Sequence, residues 1–266
     1  MIKLFRHIRK QLLGEGKTSK YFKYAIGEIL LVVIGILIAL SINNWNEASK
    51  EKQLEQLYLK NLLSDLKDQN SSMEIQLSYE ENFFKASGYI IKKHEQNKEL
   101  VIDSVFSKKT TFLTSRKTFV ITDPTYTDLI SSGNIKLIKN FSIKDKLIKY
   151  YQELERIEKI IQSNNSLLVD QYYLSAFKKY SYYYAPTILK VYPKSIQDND
   201  HMIVPSYKKR LQEASKKMLL SDENKLAFMN ALYLRNTIAI GNYELLKTIQ
   251  VTTKSLIKKL EQLHNE

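Results

Sequence analysis

Histidines and clustered carboxylates are the residues of this chain that could bind a metal ion or transfer protons. Its four histidines lie far apart, and none stands at His-Glu-x-x-His or a similar ligand spacing; they are His7, His94, His201 and His264. Glu155 and Glu158 are three residues apart and would share a helix face, whereas Glu153 would point elsewhere. A di-iron bundle needs Glu-x-x-His pairs, which the chain lacks. We therefore expect no metal and no cofactor.

Other catalytic patterns are equally hard to find. The chain has no cysteine, which excludes a disulfide framework, a thiolate zinc site and a cysteine nucleophile. It contains no Gly-x-Ser-x-Gly elbow, no glycine loop for phosphate and no dinucleotide fingerprint. We therefore predict that the protein is not an enzyme and name no catalytic residue. The alternative is an enzyme of the cell envelope whose active site follows no known motif.

Tyrosines beside lysines form the most distinctive cluster of side chains. Lys178 and Lys179 precede a run of aromatic residues that could act as a platform, namely Tyr180, Tyr182, Tyr183 and Tyr184. Aromatic faces next to cations can stack against a sugar chain or single-stranded nucleic acid. The alternative is that these tyrosines fill one end of a helical bundle and keep their hydroxyl groups in water.

An apolar run near the N-terminus determines where such chemistry could take place. Residues 25–42 contain one charged residue, Glu28, and no proline. With Tyr24 before the run and Trp45 after it, the helix would be about 30 Å long, which matches the apolar core of a bilayer. Aromatic residues are enriched at both membrane interfaces. The sequence therefore predicts a transmembrane helix over residues 25–45.

Charge on either side of this helix predicts its orientation. Residues 1–24 carry seven Lys and Arg and one acid, whereas residues 46–65 carry three lysines and four acids. The positive-inside rule places the basic leader, residues 1–24, in the cytoplasm and residues 46–266 outside, in the periplasm of a Gram-negative cell. A cleaved signal peptide is the competing interpretation, since Ala39 and Ser41 suit a signal peptidase. The bulk of the chain is exported in both cases.

One face of the predicted transmembrane helix could pack against a partner. Glu28, Gly35 and Ile42 are seven residues apart, and Ala39 follows Gly35 by four, so all four share a face. A Gly-x-x-x-Ala step lets two helices approach closely, which predicts a homodimer through the membrane. The alternative for Glu28 is that its carboxylate reaches the lipid headgroups, because it lies near the cytoplasmic end.

Apolar periodicity predicts an all-α fold in which the transmembrane helix continues into an elongated antiparallel bundle of long helices. Long helices are expected over 46–100, 142–184 and 221–264, starting at Ser142 and Ser221 in the last two cases, and a short one over 124–132. Their predicted apolar stripes include Leu54, Leu154, Leu168, Tyr172, Leu226, Tyr233, Ile240, Leu246, Ile249, Leu256 and Leu260. Residues 110–122 and 185–205 are expected to form loops at the ends of the bundle, the first as a hairpin or an extended lid.

Two blocks of sequence carry a resemblance to a known family. The segment YAIGEILLVVIGILIALSINNWNE, residues 24–47, and the stretch from Tyr126 to Asn140 resemble an uncharacterised bacterial membrane-protein family that carries a domain of unknown function. This resemblance implies a single-pass membrane protein with a helical exported domain and no established activity. It supplies no catalytic residue.

These observations lead to one expectation for function. The protein would be a membrane-anchored helical module for interaction or sensing in the bacterial envelope, held in the cytoplasmic membrane by a signal anchor. Its partners would be the lipid bilayer, a second copy of the chain, and an unknown protein or envelope polymer. The net charge of +13 comes mainly from lysines spread along the chain, which does not indicate a nucleic-acid site.

Overall fold

A computed structural model describes residues 18–183 and 209–265, and within these ranges the regular structure is entirely helical. The predicted all-α fold is confirmed. The α-helices are α1 (Thr18–Asn97), α2 (Ser104–Phe112), α3 (Pro124–Ser131), α4 (Phe141–Ser163), α5 (Leu174–Tyr180), α6 (Lys209–Met218) and α7 (Asp222–Asn265). A short 3₁₀-helix spans Asn134–Leu137, and a π-helical segment, Asn164–Tyr173, joins α4 to α5. The predicted loop 185–205 lies outside the described residues.

The chain divides into two units, Met1–Leu57 and Tyr58–Glu266. In the first unit the described residues belong to α1, which has no break between Thr18 and Asn97. The second unit contains the rest of α1 and all the other helices. The prediction that the helix leaves the membrane near Trp45 stays a prediction.

Long helices pack antiparallel in the second unit. Lys67 in α1 pairs with Glu261 in α7 at 2.8 Å, and further along α1 Ser87 hydrogen-bonds to Asn236 in α7 at 2.8 Å. The two helices are therefore antiparallel. Helix α4 is also antiparallel to α7, because the hydroxyl groups of Tyr150 and Thr253 lie 2.9 Å apart near the start of one helix and the end of the other.

The chain between α1 and α4 runs back along α1. Asp103 pairs with Lys93 at 2.8 Å, and the backbone N–H of Thr125 donates to Asp65 at 3.0 Å. Residues 110–112 end helix α2, and residues 115–123 are extended along the bundle. The predicted loop is therefore confirmed for residues 113–122, whereas the hairpin and the position at a bundle end are wrong, because the stretch forms no strand and lies along α1 between Gln76 and Asp65. Side chains of the long helices hold this stretch in place, as described below.

The core confirms part of the predicted apolar pattern. Leu154 is fully buried, whereas Leu54, Leu226, Tyr233 and Ile240 are exposed, contrary to prediction. In the first half of α7 the buried line runs instead through Phe228, Leu232, Arg235, Ala239 and Asn242. Because Arg235 and Asn242 are polar, an apolar pattern cannot include them, and the predicted stripe was displaced onto the neighbouring face.

A π-helical segment displaces the stripe that follows α4. Tyr172 was predicted to be in the core but is exposed, and Leu168 is only half-buried. The buried residues are Val169 and Tyr173, one position later. A π-turn holds one residue more than an α-turn, so it moves the downstream pattern by one position. The predicted helix 142–184 therefore forms, but it ends at Tyr180.

Helix ends agree with the sequence at some positions only. Ser221 caps α7 by accepting from the N–H of Asn224 at 3.2 Å, and Gly133 takes a left-handed backbone (φ 71°) after α3, as expected. Helix α4 is capped by Asn140, which accepts from the N–H of Ile143 at 3.1 Å, and not by Ser142. Because Asn140 supplies the cap, the helix starts at Phe141.

Candidate functional site

The apolar segment of α1, residues 25–42, exposes nearly all of its side chains. Its Ile, Leu and Val residues are between 44% and 63% exposed, and none of them packs against another part of the described protein. Among the helices described, α1 alone is long and apolar enough to cross a membrane. Burial of apolar surface is the dominant stabilising term in folding, and residues 18–183 and 209–265 do not provide such burial for this segment.

The predicted packing face lies on this segment. Glu28, Gly35, Ala39 and Ile42 are all in α1, at helical spacing that places them on one side. Gly35 has open space around it, since a methyl group added there would meet no atom within 4 Å. Whether another helix packs on this face stays a prediction.

The predicted aromatic platform is only partly available. Tyr180 is buried, lies edge-on to Phe228 and accepts a hydrogen bond from Ser215 at its carbonyl oxygen, so its ring belongs to the core. Tyr182 is half-buried and Tyr183 is exposed. Tyr184 lies outside the described residues. A platform therefore stays a prediction for Tyr182 and Tyr183.

The extended stretch Leu113–Asp123, here called the strap, has no regular secondary structure beyond a turn at its start. Its backbone groups are hydrogen-bonded by side chains of the surrounding helices. Arg235 in α7 donates from Nε to the carbonyl oxygen of Leu113 at 3.1 Å and from Nη2 to that of Ser115 at 3.2 Å. The backbone carbonyl oxygen of Lys117 accepts hydrogen bonds from the side-chain amides of Gln76 and Asn165, each at 3.2 Å. Buried backbone groups need such partners, because an unpaired one is costly.

Side chains of α1 hydrogen-bond to the backbone at the C-terminal end of the strap. Gln69 accepts from the N–H of Thr122, and Asp65 accepts from the N–H of Thr125 in the first turn of α3. Asp123 precedes Pro124 as predicted, but its carboxylate bonds to the Thr127 hydroxyl instead of capping the helix. Asp65 therefore satisfies one of the free N–H groups at the start of α3.

Three residues form a buried polar layer between α1 and α7: Glu80, Arg235 and Asn242. All three are at most 2% exposed. Glu80 accepts through Oε1 from Gln76 at 3.1 Å and from Asn242 at 3.4 Å, while its buried Oε2 has no hydrogen-bond partner. The guanidinium of Arg235 lies 4.2 Å from the ring centroid of Phe83. A buried charge is costly unless it is paired, so this layer must be held in a specific arrangement.

Burial dominates the acid–base properties of this layer. It raises the pKa of the Glu80 carboxyl, and the attraction of Arg235 offsets only part of this rise. It lowers the pKa of Arg235, an effect that Glu80 opposes. Burial also raises the pKa of Tyr173 and that of Tyr150, the latter to about 12.

Sequence reasoning did not find the polar layer, because no motif marks it. The available signal was polar residues at positions that continue an apolar helical pattern. Glu80 follows Gln76 by four residues in the buried line of α1, and Asn242 follows Arg235 by seven in that of α7. Helical spacing of this kind places each pair on one face. Because these residues are polar, a search for apolar residues at helical spacing did not detect the buried face in either helix.

The carboxylates that could suggest a metal site are engaged elsewhere. Glu153 accepts two hydrogen bonds from Arg156, at 2.6 and 2.8 Å, and these hold the pKa of Glu153 below its ordinary value. Glu155 is exposed and lies 4.0 Å from Lys159. Within residues 18–183 and 209–265, no three His, Asp or Glu side chains are grouped to hold a metal ion.

An open groove lies between α4 and α7. It consists of two adjoining cavities of about 450 and 500 Å³, which share Glu153, Ile249 and Thr252. Small residues of α7 line it, namely Gly241, Thr248, Thr252 and Ser255. Its rim carries positive charge from lysines of α4 and negative charge from Glu153. Such a groove could accept side chains of a partner, whereas the raised-pKa carboxyl of Glu80 does not line it.

A family model of unknown function, DUF6090, matches residues 28–204, about two thirds of the chain. The protein belongs to the DUF6090 family. The DUF6090 match begins at Glu28 and includes the rest of the apolar segment, the strap and Glu80, whereas Arg235 and the whole of α7 lie beyond it. Neither a curated protein nor a solved structure matches the chain. Family membership therefore supplies no activity.

Proposed function

We propose that the protein is a membrane-anchored helical module of the bacterial envelope, which acts by interaction or sensing. The observation that carries this proposal is the exposure of the apolar segment, residues 25–42, in a helix that is long enough to span a bilayer. About 20 apolar residues suffice to cross the hydrocarbon core. The helix satisfies its own backbone groups, as a lipid-exposed segment must.

The charge asymmetry supports an orientation for this anchor. Seven cations and one acid precede the apolar segment, whereas residues 46–65 carry three lysines and four acids, so the N-terminus is cytoplasmic and residues 46–266 are periplasmic. A periplasm-active reporter fused after Glu266 is expected to be active. Activity of a cytoplasmic reporter at the same position would contradict this topology. The mass of the mature chain distinguishes the anchor from a signal peptide, since cleavage after residue 41 would remove the segment.

Charged substitutions test the anchor itself. The double substitution Ile34→Arg with Leu37→Arg places two cations at the middle of the segment, at about 3 kcal/mol each on insertion scales. We expect the chain to move from the alkali-resistant membrane pellet to the supernatant. The matched control, Ile34→Leu with Leu37→Ile, should stay in the pellet. Retention of the arginine variant in the pellet would mean that another part of the chain holds it there.

Interaction is favoured over catalysis by the nature of the described sites. The groove between α4 and α7 is open and lined by small, apolar and charged residues, and of its two acids, Glu153 and Glu244, the first pairs with Arg156. A catalytic site usually combines a concave pocket with groups of perturbed pKa. Here Glu80 has the raised pKa and lies in the polar layer, away from the residues that line the groove. The protein's partner would be another protein or an envelope polymer.

A homodimer through the anchor would connect the two sides of the membrane. Gly35 and Ala39 allow a close approach of two helices, and Glu28 could meet the partner helix on the same face. Because the chain has no cysteine, single cysteines at residues 35, 36, 37 and 38 can be crosslinked in native membranes without background. Crosslinking that peaks at residue 35 supports the dimer, as does crosslinking through a cysteine at residue 42, on the same face, that is lost when Gly35→Ile is added. Uniform or absent crosslinking reduces the segment to an anchor.

A further inference from the structure

The middle of the strap, residues 116–121, has the alternating exposure of a β-strand. Its odd-numbered side chains are buried or half-buried, and its even-numbered side chains are exposed. Successive side chains of an extended backbone point to opposite faces, which explains this period of two. Threonine, phenylalanine, valine and isoleucine, which occupy residues 118–121, are also residue types that favour strands. The strap therefore resembles a single strand on a bundle of helices, and no strand lies beside it in the described part of the chain.

The backbone of four residues in this stretch, Thr118–Ile121, has no partner inside the protein. The groups on either side of it are bonded: the carbonyl oxygen of Lys117 accepts two hydrogen bonds from side chains, and the N–H of Thr122 donates one. Among the residues that the structure describes, none hydrogen-bonds to an N–H or C=O group from Thr118 to Ile121. Water can satisfy these groups in the free protein, and the backbone of another extended segment can replace that water.

A groove runs beside this backbone, between α1 and the strap. Its volume is about 270 Å³, and α1 contributes Ser72, Ile75 and Gln76 to its wall. Ile75 is 54% exposed, and Val120 on the strap is 62% exposed. Neither of these two apolar side chains belongs to the core of the bundle. A segment that enters the groove therefore meets apolar side chains next to backbone groups without protein partners.

Lys117 gives this groove a positive charge. It is the only charged residue among those that line the groove in the described structure. Its ammonium group lies 4.8 Å from the ring centroid of Tyr79. The neighbouring Arg116 pairs with Asp170, whereas no carboxylate of the described residues pairs with Lys117. A partner segment with an acidic side chain at this end is therefore complementary to the groove in charge.

A separate segment fits this groove better than the strap of a second copy does. In each copy the strap is hydrogen-bonded to side chains of α1, of α7 and of the π-helical segment, so helices of its own bundle flank it. Paired strands lie about 4.8 Å apart, whereas packed helices stay about 8 to 10 Å apart. Two straps that are both held between helices would therefore bring those helices into contact before their backbones could pair.

We propose that the strap binds an extended segment of a partner protein, which lies in this groove as a second strand. The backbone of that segment pairs with the N–H and C=O groups of Thr118–Ile121. An apolar side chain of the segment packs between Ile75 and Val120, and an acidic one lies near Lys117. Main-chain hydrogen bonds provide the affinity of such strand addition, and side-chain contacts provide its specificity. This rests on the proposed interaction role and names the kind of partner, but it does not depend on the anchor.

A peptide with the sequence of the strap itself is a suitable probe. KTFVITD, residues 117–123, has a cation at its start and an acid at its end. In an antiparallel pair its aspartate would lie opposite Lys117 and its lysine opposite Asp123, and opposite charges stabilise cross-strand pairs. We expect the acetylated, amidated and labelled peptide to bind the detergent-solubilised full chain. Amides of residues 118–121 should then exchange with deuterium about tenfold more slowly.

Matched controls separate strand pairing from general apolar attraction. The same peptide with methylated backbone nitrogens keeps every side chain and should not bind, because it cannot pair. Ile75→Ser with Val120→Ser should weaken binding of the unmodified peptide about tenfold, whereas Ile130→Ser with Val251→Ser removes similarly exposed side chains elsewhere and should not. Lys117→Glu should also weaken binding, and a peptide that ends in lysine should restore it. Urea unfolding should change little in these variants, because the substituted side chains are not in the core.

Several results would overturn the proposal. Slow exchange at residues 118–121 before peptide is added would show that this backbone is already paired. Protection that increases with protein concentration alone would identify a second copy as the occupant. Binding without protection, or equal binding of the methylated peptide, would mean that the peptide does not add as a strand, and no binding up to about 1 mM would show that the strap accepts none. Each of these results leaves the anchor standing, because fractionation of the arginine variant tests the anchor separately.

Discussion

Helix α1 contains two regions with opposite patterns of burial: one exposes apolar side chains and the other buries polar ones. Residues 25–42 expose apolar side chains along the whole segment, whereas the part of the helix in the second unit buries Gln69, Gln76 and Glu80. Each of these three side chains makes a hydrogen bond to the strap or to α7. The exposed apolar residues are not covered by any part of the chain that the structure describes. This difference is the physical argument behind the proposed anchor.

The largest expected effect is at the centre of the polar layer. Arg235→Ala would leave the carbonyl oxygens of Leu113 and Ser115 without donors and Glu80 without its countercharge. Each carbonyl oxygen left without its donor costs about 1 to 3 kcal/mol, and the space left by the buried side chain adds to this loss. Urea unfolding of the detergent-solubilised chain measures this loss. Arg235→Lys should recover only part of it, because an ammonium group lacks the planar fork that holds both carbonyls. A loss below about 1 kcal/mol would show that the strap does not depend on Arg235.

The next effect compares a buried with an exposed apolar residue. Leu154→Ala removes a fully buried side chain and should cost about 2 to 5 kcal/mol in free energy of unfolding. Ile240→Ala removes a side chain that is 42% exposed, and it should cost about 1 kcal/mol or less. The same urea titration measures both. Equal losses would mean that Ile240 packs against something outside the described contacts, such as a second copy.

The smallest expected effect concerns the protonation of Glu80. Because its pKa is raised in the folded state, folding favours the protonated form, and this contribution to stability is lost as pH rises above the ordinary range of a glutamate. Glu80→Gln keeps an oxygen for Gln76 and Asn242 and removes the charge. The difference in unfolding free energy between Glu80→Gln and the unmodified chain should therefore move in favour of the variant from pH 4 to pH 7. A difference that is constant with pH would show that folding does not shift the pKa of Glu80.

How much could be predicted from sequence differs between the two regions. The apolar segment was found because its signal is contiguous, with a single charged residue, Glu28, in residues 25–42. The late half of α7 was also predicted, since Leu246, Ile249, Leu256 and Leu260 follow the helical period and are buried. These features depend on local pattern alone.

The polar layer and the strap could not be predicted, because both depend on contacts that are distant in sequence. Arg235 donates a hydrogen bond to a carbonyl oxygen 122 residues away in sequence. Asp65 accepts one from a backbone N–H at the start of a helix 60 residues later. The π-helical segment presented a different difficulty. Its extra residue gives no signal in composition, yet it moved the core from Tyr172 to Tyr173.

The central claim is that residues 25–42 lie in a bilayer while the polar layer stabilises the domain that follows. Cysteine scanning tests it most directly, since the natural chain has no cysteine. Single cysteines from residue 22 to residue 60 are treated in intact spheroplasts with a maleimide that cannot cross membranes. We predict no labelling at residues 25–42 and labelling from about residue 48 onward at exposed positions. Uniform labelling along residues 25–42 would show that water surrounds this segment, and it would contradict the account.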